Sequence, residues 1–208
     1  MIPKSLLHAI GMVGVALTAA GCVSVLPEAS PASPRYMLTP VAYENAPAEA
    51  VKWSLAVEDP IATRVYDTTR IALVRAPGRI EFYANGEWAD RAPRLVQSAL
   101  VRSFENSGQI LGVGDRGSLI VSDFVLQTDI RALHADYTGG APTAVISVYA
   151  RLTNSRGKVL AGRLFEQKVA AKADSVPEIA ATFDKAISAT IGEIVSWSMG
   201  EANAAYAK

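Results

Sequence analysis

The sequence predicts an α+β fold in which an antiparallel sheet carries two long helices packed on one face. Stretches of period-two alternation, separated by turn residues, occur on both sides of a stretch of helical period, and a second helical stretch of about 20 residues closes the chain. Half-buried strands and one-sided helices cover each other's apolar surface, so the two patterns belong to one core. The 208 residues are 50% apolar and 19% charged, which suits a single globular domain. Twenty basic and twenty acidic side chains leave no net charge. The broad attraction that draws proteins to nucleic acid is therefore missing, and no nucleic-acid partner is expected.

The first segment is read as an export signal rather than as fold. No Asp, Glu, Lys or Arg occurs between Lys4 and Glu28, and Leu6 to Leu17 form an apolar run behind a short basic start. The run ends in Leu17-Thr18-Ala19-Ala20-Gly21-Cys22, which resembles a bacterial lipobox. In that reading residues 1–21 are a lipoprotein signal peptide and Cys22 is the acylated mature N-terminus. The alternative, an uncleaved membrane helix, fits less well with Gly11, Gly14 and the lack of a basic anchor after Cys22. Cys22 is the single cysteine, so neither an internal disulfide nor a cysteine metal cluster is available. Residues 22–34 contain Pro27, Pro31 and Pro34 and read as a tether, reaching roughly 35–40 Å at about 3.1 Å per residue. Residues 35–208 form the expected single periplasmic domain. Val23, rather than Asp, after the cysteine points to the outer membrane by resemblance to lipoprotein sorting rules.

Within the domain, Arg35 to Leu38 and Trp53 to Val57 are β-prone. Arg70 to Val74 and Arg79 to Tyr83 flank Ala76-Pro77-Gly78 and predict a hairpin that Asn85-Gly86 then breaks. Leu95, Ala99, Leu100 and Phe104 recur at helical spacing, with Pro93 in the first turn and Gly108 as the stop. Ser122 to Leu133 returns to period two, with Phe124, Leu126, Ile130 and Ala132 on one face. Ala144 to Thr153 and Val159 to Val169 flank Asn154-Ser155-Arg156-Gly157 and predict a second hairpin. The last strand carries charge on both faces, so its inner face stays open and an edge position is expected. Ser175-Val176-Pro177-Glu178 is a capping-box pattern, and behind it Ile179, Phe183, Ala186, Thr190, Ile194 and Trp197 share a stripe. The opposite side, with Ala181, Ser188, Gly192 and Ser196, is poor in charge. It reads either as an ordinary small-residue surface or as a helix-packing face.

The residues offer little for catalysis. Outside the signal there is one histidine, His134, near Asp136, which reads as an exposed loop residue, and no Gly-x-Ser-x-Gly elbow is present. Gly112-x-Gly114-x-x-Gly117 matches a dinucleotide spacing, but no helix is expected after it, so it reads as a loop. No enzymatic activity, cofactor or metal is expected.

Several landmarks in order resemble the ABC-type transport auxiliary lipoprotein component family, the Pqi-type lipoproteins that accompany MCE-domain lipid transporters. They are Cys22, Tyr36-Met37-Leu38-Thr39-Pro40, Arg70-Ile71-Ala72-Leu73-Val74, Trp88-Ala89-Asp90, Phe104, Ser107-Gly108, the strand from Asp123 to Arg131, and Gly157-Lys158-Val159-Leu160-Ala161 leading to Phe165. Asp59-Pro60-Ile61-Ala62-Thr63 departs from the family's more hydrophobic run. The resemblance implies a non-catalytic, membrane-anchored periplasmic lipoprotein working with an MCE-domain protein and an ABC permease and ATPase. The competing reading is a pilot or assembly lipoprotein of another outer-membrane complex. Trp53, Trp88, Ser188, Gly192 and Ser196 are the candidate partner contacts; both indoles also suit the core. The small-residue face and the edge at Val159 to Val169 offer self-association or strand addition.

Overall fold

The computed structural model describes residues 33–43 and 50–207, so the signal segment and Cys22 lie outside the described residues. The described elements in chain order are β1 (Arg35–Tyr36), β2 (Val51–Val57), β3 (Ile61–Ala62), β4 (Arg70–Ala76), β5 (Arg79–Trp88), α1 (Ala92–Asn106), β6 (Ile110–Asp115), β7 (Phe124–Asp136), β8 (Thr143–Asn154), β9 (Val159–Ala170) and α2 (Val176–Tyr206).

The fold is α+β, but its sheet is mixed rather than antiparallel. β7 is the axis. One side pairs antiparallel with β8 along its whole length, from Phe124↔Asn154 to Asp136↔Thr143. The other side takes three parallel neighbours in succession: β2 at Leu55↔Phe124, β3 at Ile61↔Asp129 and β4 at Ala72↔His134. β6 extends the sheet beyond β2, also parallel, while β5 pairs antiparallel with β4 and β1 parallel with β5. β9 pairs with β8 alone, so it is an edge. The mixed directions follow from the connection after β6. Residues 116–123 return the chain without forming a strand, so β6 and β7 run the same way on either side of β2.

Local rules set most element bounds. α1 has Pro93 in its first turn and ends at Ser107, with Gly108 at φ +63°. The turn glycines Gly78 and Gly157 take φ +74° and +78°, as the two hairpins require. Asn85-Gly86 does not end β5. Between Arg70↔Glu87 and Ala72↔Phe82 the ladder shifts register, so the strand passes through a bulge to Trp88. Gly86 is small because a Cβ there would stand 2.5 Å from Val176 Cγ1 and 3.0 Å from Tyr36 Cε2. The first turn of α2 and β1 thus close on a bare stretch of β5. The capping box at Ser175 also fails to form. The Ser175 side chain makes no cap bond, and the Glu178 carboxylate instead accepts the Lys172 N–H at 3.1 Å.

A second bulge falls in β7. Ile130 pairs with Val148 and Ala132 with Ser147, so Arg131 is an extra residue and the faces swap there. Leu126 and Ile130 are buried before it and Leu133 and Ala135 after it, which leaves Ala132 only half-buried, outside the core face expected for it. Leu95, Leu100, Phe104, Phe124, Ile130, Ile146, Val148, Phe183, Ile187 and Ile194 are all buried in one cluster. α2 packs against β8 and β9, α1 against β2 and β6, and the helices touch each other. The buried stripe of α2 runs through Ile191, Val195 and Met199 to Ala202, leaving Trp197 half-buried at its margin.

Two glycine substitutions separate these effects. Gly86→Ala forces a methyl group into Val176 and Tyr36 and is expected to cost about 1–3 kcal/mol by overpacking. Gly200→Ala, in α2 with nothing within 4 Å of the added Cβ, is expected to gain roughly 0.5–1 kcal/mol. Urea unfolding midpoints of the two variants should move in opposite directions.

Candidate interaction surfaces

Both tryptophans proposed as partner contacts are interior. Trp53 is 1% exposed on β2, edge-on to Phe124 at 5.4 Å, and its Nε1–H donates to Asn203 Oδ1 at 2.8 Å. This bond ties the last turns of α2 to the sheet. Trp88 is 2% exposed and meets Phe183 edge-on at 5.6 Å. Each ring is buried on its strand and meets a residue of α2, Asn203 or Phe183, so burial favours the core of the two sequence readings.

The small-residue side of α2 is partly covered by the chain itself. Residues 38–43 cross from α2 to α1 as a strap held by its main chain. Asp184 Oδ1 accepts the Thr39 N–H at 2.6 Å, and Ser188 Oγ donates to the Thr39 carbonyl at 3.0 Å. Ser103 Oγ accepts the Val41 N–H at 2.9 Å, and Asn106 Nδ2 donates to the Val41 carbonyl at 2.8 Å. A Cβ on Gly192 would lie 4.0 Å from Val41 Cγ2. Ser188 is therefore engaged within the chain, whereas Ser196 is exposed.

Beyond the strap, Gly192 and Ser196 line an open groove of about 570 Å³ with Arg163, Ala189, Glu193 and Trp197. Trp197 stands edge-on to Phe165 at 5.6 Å, the Arg163 guanidinium lies 4.9 Å over the Phe165 ring, and Gln167 Nε2 donates to Glu193 Oε1 at 2.6 Å. These contacts fix the inner face of β9 around Phe165 and Gln167 as the side toward α2. The groove runs beside the unpaired edge of β9, an arrangement suited to a partner segment that adds to the edge and places side chains over α2. Helical spacing places Trp197 in the buried stripe. Its position at the end of that stripe, where the buried positions drift round the helix, is the signal for its half-exposure.

His134 and Asp136 do not hydrogen-bond to each other. His134 sits half-buried in β7 rather than in an exposed loop, with Nδ1 3.0 Å from the Tyr66 hydroxyl. The Asp136 carboxylate turns away to accept the Thr138 N–H at 2.8 Å. Burial holds the imidazole below its ordinary pKa, against the smaller opposing effect of Asp136. The glycine spacing is also structural, and its first two glycines lie on the edge strand β6 rather than in a loop. A Cβ on Gly114 would stand 2.5 Å from Ser118 Oγ, so the bare position admits the returning chain, while Asp115 Oδ1 accepts the Gly117 and Ser118 N–H groups at 2.6 and 2.9 Å. Among the described residues no group of three or more His, Cys, Asp or Glu is placed to hold a metal, and no helix is long and apolar enough to cross a membrane.

One surface had no counterpart in the sequence reading. Ser54 donates through N–H and Oγ–H to Asp123 Oδ2, each at 2.8 Å, and the Ser155 N–H donates to the Asp123 carbonyl at 2.9 Å. This knot stitches β2, the start of β7 and the β8–β9 turn together at one end of the sheet. Beside it Ile120 and Val121 are 81% and 83% exposed.

A family model described as the ABC-type transport auxiliary lipoprotein component matches residues 36–195, from β1 to the second half of α2. The chain belongs to that family. An uncharacterized protein of Bradyrhizobium diazoefficiens is 34% identical to this chain over 157 residues, 73% of the chain; the chain spans 41% of that relative's length. The crystal structure of a Xanthomonas campestris protein of family DUF330 aligns at TM-score 0.79 and 30% identity, covering 85% of this chain and all of that one. The crystal structure of a further uncharacterized protein shares the fold at TM-score 0.63 and 16% identity, covering 79% of this chain and 98% of its own. The family description, auxiliary and lipoprotein, agrees with a membrane-anchored envelope location.

The half-buried imidazole makes stability depend on pH. The unfolded chain protonates His134 near its ordinary value of 6.5, whereas the folded chain holds it neutral to lower pH. Below 6.5 the unfolded state binds more protons, so stability falls with falling pH until the folded imidazole is protonated too. The urea midpoint of the native chain should drop more than that of His134→Gln between about pH 7.5 and pH 5. Equal pH slopes would show that His134 contributes nothing.

Proposed function

We propose that the chain is a non-catalytic, lipid-anchored auxiliary component of an ABC/MCE-type intermembrane lipid transport system. It acts on the periplasmic side of the envelope, at the outer membrane, and is held there through acylated Cys22. The observation that carries the reading is the family match across residues 36–195, joined by the lipobox-like Ala20-Gly21-Cys22 upstream. Burial of acyl methylenes contributes about 0.8 kcal/mol each, so one chain holds a protein marginally while the several chains of a bacterial lipoprotein hold it firmly. The partners in this reading are an MCE-domain protein and the ABC permease and ATPase. The groove between β9 and α2 is the surface we assign to them, since it joins an open strand edge to a half-buried indole.

Two measurements test the reading. Labelled palmitate should enter the native protein and be absent from Cys22→Ser, which should also keep its signal segment. The tagged native protein, purified from detergent-solubilised membranes, should bring down MCE and ABC subunits identified by mass spectrometry. Recovery of a different envelope complex would replace the transport role with the assembly-lipoprotein role.

A further inference from the structure

We propose that the end of the sheet formed by Ile120, Val121 and the β8–β9 turn is a docking tip for a bilayer containing anionic phospholipid. It rests on the proposed function only in that a lipid tether would supply the local concentration at which a weak contact matters. Ile120 and Val121 are adjacent, 81% and 83% exposed, and Val159 at the end of the turn is 53% exposed. The Asp123 knot holds the two segments side by side, since the Ser155 N–H donates to the carbonyl of Asp123, two residues after Val121.

The charge at this tip is basic. Arg156 and Lys158 are exposed, and neither enters an ion pair among the described residues. Asn154 Oδ1 accepts the main-chain N–H groups of both, at 3.1 and 3.0 Å, and Gly157 takes φ +78°. The turn is thus fixed by its backbone, and both cationic side chains remain available. The neighbouring carboxylate, Asp123, accepts from Ser54 and keeps its charge, so two cations face one anion and the tip remains net basic.

Aliphatic side chains beside unpaired cations match a membrane interface, where the former enter the acyl boundary and the latter meet phosphate. Protein hot spots differ: they are rich in aromatic side chains seated in pockets. Ile120 and Val121 line none of the described grooves and project from a turn, a shape that a fluid surface accepts without a complementary cavity.

The test uses the mature chain from Val23, without acylation, in co-sedimentation with vesicles. One set is phosphatidylethanolamine with phosphatidylglycerol and the other is phosphatidylcholine alone. The native chain should bind the anionic vesicles, lose binding as salt rises, and bind phosphatidylcholine several-fold more weakly. Each basic side chain contributes roughly fivefold near an anionic surface, so Arg156→Gln with Lys158→Gln should weaken binding by more than tenfold. Ile120→Ser with Val121→Ser should weaken binding to both vesicle types, with an unchanged circular dichroism spectrum. Equal binding of native chain and variants, or no binding of the native chain to anionic vesicles, overturns the proposal. Variants that lose co-purification of a protein partner while the native chain ignores vesicles assign the tip to that protein and overturn it as well. Because the chain tested carries no acyl group, failure of the lipoprotein reading would leave this result unaffected.

Discussion

The pairing of β7 constrains everything else in the domain. A single strand, Phe124–Asp136, carries β8 along one side and β2, β3 and β4 in turn along the other. A slip of one residue in any of these ladders would exchange buried for exposed side chains along the whole strand. The extra residue at Arg131 makes one such exchange locally, and the core follows it from Ile130 to Leu133. Because β8 is committed to β7 on one side and β9 on the other, β9 becomes an edge and the 31-residue α2 lies beside it. The groove and the tip are both consequences of that arrangement.

Much of the local structure was legible in the residues. Pro93 and Gly108 bracket α1, and Ala76-Pro77-Gly78 and Asn154 to Gly157 turn the two hairpins, because helix ends and tight turns depend on residues within a few positions of each other. The core was legible too, since alternation and helical stripes report which face is buried. Strand direction and neighbour were not, because alternation is the same in parallel and antiparallel ladders. The short parallel strand β3 and the glycine-rich β6 carry almost no periodic signal of their own. The bulges escaped notice for a related reason. Gly86 reads as a strand breaker until its contacts with Val176 and Tyr36 show that it is a point of close approach.

The candidate surfaces were less legible than the fold. Trp53 and Trp88 carried the strongest compositional signal for an interface, yet each is better used inside, one holding Asn203 and the other packing on Phe183. Ser188 is used by the strap, through a bond to a main-chain carbonyl 149 residues away in sequence that no local pattern encodes. Ser196 and Gly192 do line a groove, but Arg163 and Trp197 give it its chemistry. A domain built this way offers a strand edge, a groove and a tip as surfaces for contact.

The neighbour that occupies the β9–α2 groove in the cell decides the role of this domain. A photo-crosslinking amino acid placed at Ser196 in the full-length protein, activated in intact cells, reports the neighbour of that exposed position. The expected product is a crosslink to an MCE-domain or ABC transporter subunit, absent when the same group replaces Gly139, which has nothing within 4 Å of an added Cβ. Crosslinks confined to an unrelated envelope complex, or identical products from both positions, would contradict the transport role.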